Sequence, residues 1–143
     1  MEQDTINIGL IGAGGNAKLR HIPGFQAIDG VNIIAVCNRS IASGKKIAAE
    51  FGIQNVYGSW IEVMEDPEID AICIGTWPYM HCPLTVTGLE YGKHVMTEAR
   101  MAMDAAEAHM MLEASRQYPG QVAQVVPAPH TLNLDKTIKK LVK

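Results

Sequence analysis

The sequence predicts an α/β fold: a doubly wound, mainly parallel sheet with helices on both faces. Three observations carry that expectation. Short apolar runs alternate with segments of helical period along the chain. The runs are nearly continuous in apolar residues, as in strands covered on both faces. The first of them, Ile6–Ile11, ends in the glycine cluster Gly12-Ala13-Gly14-Gly15, and the cluster opens into a helical segment. At 143 residues, 48% of them apolar and 19% charged, the chain has the length and composition of one soluble globular domain.

Taken in order, Ile6–Ile11 reads as the first strand and Asn16–Ile28 as a helix that Pro23 should bend or interrupt. Asp29-Gly30 is a turn, and Val31–Cys37 a second strand. Ser40 caps a helix running to about Phe51, with Gly52 as its stop signal. Asn55–Tyr57 is a short strand, Trp60–Glu65 a helical turn, and Asp70–Gly75 a buried strand. Pro83–Tyr91 is a helix ended by Gly92, and His94–Thr97 a strand. Asp104 and Glu107 form a capping-box-like start for a helix to about Gln117, on which Ala106, Met110 and Ala114 form an expected core stripe. Gln121–Val126 is the last strand and Leu132–Leu141 a final helix.

Composition excludes several classes. A formal net charge of −3 with a basic run only near the C-terminus argues against nucleic acid as a partner. No apolar stretch approaches the roughly 18–20 residues that span a bilayer, and the first residues lack a signal peptide's basic start. Three cysteines without a C-x-x-C pair read as buried, reduced thiols of a cytoplasmic protein. None of the five histidines has metal-ligand spacing, so no metal is expected. The loops that mark nucleoside triphosphatases and α/β-hydrolases are missing.

In a doubly wound sheet, ligands sit at the carboxyl ends of the strands. That rule selects the loops after Ile11, Cys37, Ile74, Thr97 and Val126. Gly12-x-Gly14-x-x-Ala17 has the spacing of the dinucleotide-binding fingerprint. Gly12 allows the tight turn, Gly14 lets backbone approach a pyrophosphate, and Ala17 lets helix and strand pack closely. Gly15 and Asn16 complete the loop. The plainer alternative is a glycine turn with no ligand.

After the second strand, Asn38-Arg39-Ser40 stands about where the ribose-reading residue belongs. Asn38 is neutral and does not repel a 2′-phosphate, while Arg39 and the helix start at Ser40 favour an anion, so NADP is preferred over NAD. Alternatively, Arg39 stacks on the adenine of either cofactor. After the fourth main strand, Thr76, Trp77 and His81 suit a pocket wall beside a nicotinamide. The competing reading makes His81 a helix-start residue that only hydrogen-bonds backbone, and Trp77 ordinary packing. After the fifth, Glu98 and Arg100 emerge beside the glycine loop as candidates for the reacting end, or as a surface ion pair of little energetic worth.

The glycine loop, then Asn38-Arg39-Ser40, then Thr76 and His81, then Tyr91-Gly92-Lys93-His94-Val95 with Glu98 three residues later, resembles the glucose–fructose oxidoreductase / inositol dehydrogenase / rhizopine-catabolism (Gfo/Idh/MocA) family over nearly the whole chain. The resemblance implies a Rossmann-type domain over residues 1–130. Residues 131–143 would be a terminal helix leading to a C-terminal substrate domain outside this chain, through which homo-oligomers form. It implies an NAD(P)-dependent oxidoreductase acting on CH–OH groups of a sugar-, cyclitol- or polyol-like small molecule, with these residues alone inactive. Gly12, Gly14 and Ala17 would hold the pyrophosphate, Asn38 and Arg39 the adenosine end, and Thr76, Trp77, His81 and Glu98 the nicotinamide side. One departure bears on chemistry. Where the family has Glu-Lys-Pro, this chain has Glu98-Ala99-Arg100, so the usual active-site lysine is replaced. The alternative function is a non-catalytic nucleotide-binding or redox-sensing module.

Overall fold

The computed structural model describes residues 5–127 and 135–141. Six strands form one sheet: β1 Ile6–Ile11, β2 Val31–Cys37, β3 Asn55–Tyr57, β4 Ala71–Ile74, β5 His94–Thr97 and β6 Ala123–Val125. Their order is β3-β2-β1-β4-β5-β6, and every recorded pair is parallel. The order reverses between β1 and β4, which places the switch point beside the glycine loop.

Strand alternation builds two cores. Ile8, Leu10, Val36 and Cys73 face Ile22, Ile47 and Ala48, which belong to helices α1 Ile22–Gln26 and α2 Ile41–Phe51. Ile11, Ala35, Ile72, Ile74 and Val95 face the other way, toward α3 Trp60–Glu65, α4 His81–Glu90 and α5 Ala105–Gln117. A Cβ on Gly9 would lie 2.6 Å from Val63, so α3 sits directly on the β1 backbone.

The predicted helix over Asn16–Ile28 is instead a wide π-turn, Ala17–His21, continuing into the short α1. Pro23 has no N–H for a bond to the Leu19 carbonyl, and the turn before it is wound wider. Helix α4 begins two residues earlier than predicted, at His81, because Pro83 in its first turn removes an N–H that would be unpaired anyway. The core stripe of α5 also differs. Met111 and Ala114 are buried, while Ala106 and Met110 are exposed. Ala114 is buried as expected, and packing against α4 turns the rest of the buried face from Met110 to Met111. Of the predicted final helix, α6 Asp135–Leu141 is seen, and residues 132–134 lie outside the described residues.

All three cysteines are free and buried. Burial pushes the Cys73 thiol up to about 12, and raises Cys37 and Cys82 as well. These are inert core thiols.

Candidate functional site

A cleft of about 860 Å³ runs along the carboxyl ends of β1 to β5, within the size range of cofactor sites. The glycine loop forms its floor. Gly12 has φ of +84°, and a Cβ there would fall 2.7 Å from the Thr76 nitrogen, so both turn and packing demand glycine. Gly14 and Gly15 differ: neither has positive φ, and a Cβ on either would meet nothing of the protein within 4 Å. The Lys18 N–H donates to the Gly14 carbonyl at 3.0 Å, so the N–H groups of Gly15, Asn16 and Ala17 stand before the first helical bond. They are the donors a phosphate would use. Ala17 is 4% exposed and packs beneath the loop.

The cleft has two halves. On the β2–β3 side, the Ala13 N–H donates to Asn38 Oδ1 at 2.7 Å. Asn38 therefore braces the glycine loop with the side chain that the sequence assigned to the ligand. Arg39 is exposed beside it, and Ser40 caps α2 by accepting from the Ser43 N–H at 3.3 Å. Gly58, Ser59 and Trp60 also line this half. They follow β3, a strand whose carboxyl end the sequence reading passed over; the same rule applied there would have found them. Glu62 accepts from the N–H groups of Gly58 and Ser59 at 2.9 and 2.8 Å, which turns its carboxylate onto its own helix start.

On the β4–β5 side, Thr76, Trp77, Tyr79 and Glu98 line the cleft. Thr76 Oγ1 is buried without a hydrogen-bond partner among the described residues. Glu98 Oε1 accepts from Asn16 Nδ2 and meets His21 Nε2. His21 escaped sequence reading because its partner lies 77 positions away, and the wide turn delivers its ring to that point. The residue stacks on Phe25 at a centroid distance of 6.3 Å.

Two predicted site residues lie elsewhere. His81 is 1% exposed and is not among the cleft-lining residues. Its ring nitrogens face the carbonyls of Arg100, at 2.7 Å, and Thr76, at 3.0 Å. Of its two readings, the backbone-bonding one is observed. Arg100 does not line the cleft and makes no recorded pair with Glu98; its side chain is exposed. The Ala99–Arg100 peptide is cis.

The most distinctive motif stands away from the cleft. Gly92 takes φ of +76° to turn into β5. Lys93, 8% exposed, donates from Nζ to the carbonyls of Asp66 and Ile69, both at 2.7 Å. His94 Nδ1 accepts from the Val122 N–H at 2.9 Å. Among the described residues no three His, Cys, Asp or Glu side chains gather closely enough to hold a metal ion, and no helix is long and apolar enough to cross a membrane.

The family model described as "Oxidoreductase family, NAD-binding Rossmann fold" (GFO_IDH_MocA) matches residues 6–125. The chain is 32% identical over 99 residues to trans-1,2-dihydrobenzene-1,2-diol dehydrogenase of Danio rerio, covering 69% of this chain and 28% of that protein. It is 32% identical over 109 residues to 1,5-anhydro-D-fructose reductase of Ensifer adhaerens, covering 76% and 32%. The chain thus spans about a third of the length of the curated relatives it matches. Among solved structures, myo-inositol 2-dehydrogenase of Lactobacillus plantarum superposes with a TM-score of 0.81 at 23% identity, over 96% of this chain and 41% of that one, a likeness of fold. A mutant 3-ketoreductase from Actinomadura kijaniata, in complex with TDP-benzene and NADP, gives 0.74 at 25% identity over 80% and 36%. This chain belongs to the Gfo/Idh/MocA oxidoreductase family and is its NAD(P)-binding Rossmann domain.

Proposed function

We propose that this domain binds NADP in the cleft for an oxidoreductase acting on CH–OH groups of a sugar-, cyclitol- or polyol-like substrate. The observation that carries the reading is Gly14. Its backbone conformation does not require glycine, and no neighbouring protein atom does either. The space where its side chain would stand opens into the cleft, which is where a pyrophosphate needs backbone to come close. The first-turn N–H groups of Gly15–Ala17 then hold the phosphates.

Charge supports NADP over NAD. Among the described residues lining the cleft, Arg39 is the one full cation and Glu98 the one carboxylate, on opposite halves. A 2′-phosphate on the β2–β3 side meets Arg39 and the hydroxyls of Ser40 and Ser43. The complex of the similar 3-ketoreductase with NADP supports the same choice. Calorimetric titration with NADP and NAD tests it: tighter NADP binding is expected, and clear NAD preference overturns the cofactor assignment.

When bound, the nicotinamide supplies a hydride acceptor and donor at its C4. The chain's residues orient that ring. The Glu98 carboxylate, braced by Asn16 and His21, lies on the β4–β5 side as an acceptor for polar groups of the nicotinamide riboside, with Thr76 in the wall beside it. Trp77 and Tyr79, 73% and 60% exposed, stand at the mouth as apolar cover.

Ala99 supports a second reading. It cannot exchange a proton, so a module that holds the cofactor without turnover remains the rival. Assaying the domain joined to its expected substrate domain, with NADP and a polyol panel, separates the two: turnover establishes the enzyme, and tight binding without turnover the module. The three buried thiols support a cytoplasmic setting. The net charge of −3 fits small-molecule rather than nucleic-acid partners. Homo-oligomers through a second domain remain the family-based expectation.

A further inference from the structure

His81 stands behind the cleft wall, between the two loops that form its β4–β5 half. We propose that His81 is a positioning residue of the dinucleotide site: by holding the Thr76 and Arg100 carbonyls it fixes Thr76 and Glu98 for the nicotinamide end. The inference rests on the dinucleotide reading above.

Geometry carries the argument. The imidazole is 1% exposed, with Nε2 3.0 Å from the Thr76 oxygen and Nδ1 2.7 Å from the Arg100 oxygen. Both partners are carbonyl oxygens, which only accept, so holding both loops takes a ring that donates from both nitrogens, the imidazolium. The ring's base is rigid, because His81 opens α4, whose Leu84 and Leu89 are fully buried.

Thr76 is held from two directions. Gly12 packs against its backbone nitrogen, so closely that a Cβ on Gly12 would lie 2.7 Å away, and His81 takes its carbonyl. What remains is Oγ1, buried on the cleft wall without a partner. An unpaired buried hydroxyl costs free energy, so this residue of the cleft wall is held in place at a cost. One residue, Ala99, separates the Arg100 carbonyl from Glu98, whose own N–H donates to Ile74 at 3.1 Å. The backbone is thus fixed on both sides of that carboxylate.

A core histidine with no part in the site would affect the whole domain, whereas a positioning residue of one half affects one end of the ligand. The test compares NADPH with adenosine 2′,5′-bisphosphate, which reaches only the β2–β3 half. In His81→Asn the amide nitrogen takes the place of Nδ1, which keeps Arg100 and releases Thr76. NADPH should bind about tenfold more weakly, with the bisphosphate unchanged within about twofold. His81→Gln places its nitrogen where Nε2 was and should restore most of the NADPH affinity.

Equal losses for both ligands in a folded His81→Asn, no loss for either, or a Gln variant no better than Asn would overturn the inference while leaving the dinucleotide site standing. If His81→Asn does not fold by circular dichroism, His81→Gln carries the test and must hold NADPH within about threefold of wild type; a larger loss overturns the inference. Wild-type protein that binds neither ligand would remove the dinucleotide reading and this inference with it.

Discussion

The two ends of β5 hold the most recognisable residues in the chain, and they do different work. At the amino end, Gly92, Lys93 and His94 make a structural joint: a left-handed turn, an ammonium on two backbone carbonyls, and a ring accepting from β6's approach. At the carboxyl end, four residues on, Glu98 faces the cleft among Asn16 and His21. Parallel strands explain the division. Their carboxyl ends gather at one edge, where loops are free to meet a ligand, and their amino ends gather at the other, where connections must close the core. A distinctive motif therefore locates a family without locating its site.

The first way to break this comparison is at the cleft floor. Gly14→Val should cost roughly 3 kcal/mol of NADPH binding, about a hundredfold, while the urea midpoint stays near wild type, because no protein atom occupies that space. Retained affinity would mean the pyrophosphate lies elsewhere. The opposite pattern is expected at the joint. Lys93→Met leaves the Asp66 and Ile69 carbonyls without their donor and should lower stability by about 2–3 kcal/mol. Urea denaturation reads that loss, and NADPH affinity of the folded protein should not move.

A third substitution sharpens the division within the cleft. Arg39→Ala should weaken NADPH roughly tenfold and leave NADH affinity nearly unchanged; equal losses would favour stacking on adenine over a phosphate contact.

Stability also depends on pH. Folded Cys73 ionises near 12 against 9.0 for a free thiol. The folded state binds that proton more tightly, so its stabilising contribution is full below about pH 9 and is lost as pH rises toward 12. Tyr57, raised chiefly by its hydrogen bond to Asp66, acts in the same direction. The urea midpoint should therefore fall from pH 9 upward, and Cys73→Ala should flatten that fall.

Local signals made much of the fold legible. The apolar runs placed all six strands to within about two residues, and the glycine spacing identified the cleft floor. Capping residues Ser40 and Asp104 marked two helix starts, and both side chains accept the expected N–H. The rest depends on contacts between distant residues. Asn38 is an apparent ligand contact in sequence, yet its oxygen is taken by Ala13. The roles of His21 and His81 depend on partners brought near by the sheet order. In α5 the alanine-rich sequence fits more than one face, and only packing against α4 chooses Met111 over Met110.

The central claim is that the carboxyl edge of the sheet, and not the distinctive joint at the amino end of β5, is the dinucleotide site. Titrating NADPH into isotope-labelled protein while recording amide chemical shifts tests it residue by residue. Saturable shifts should appear at Gly12–Ala17, Asn38–Ser43, Thr76, Trp77 and Glu98, with Gly92–Val95 silent. Shifts concentrated at Gly92–Val95, or no saturable shift at the glycine loop, would contradict the account.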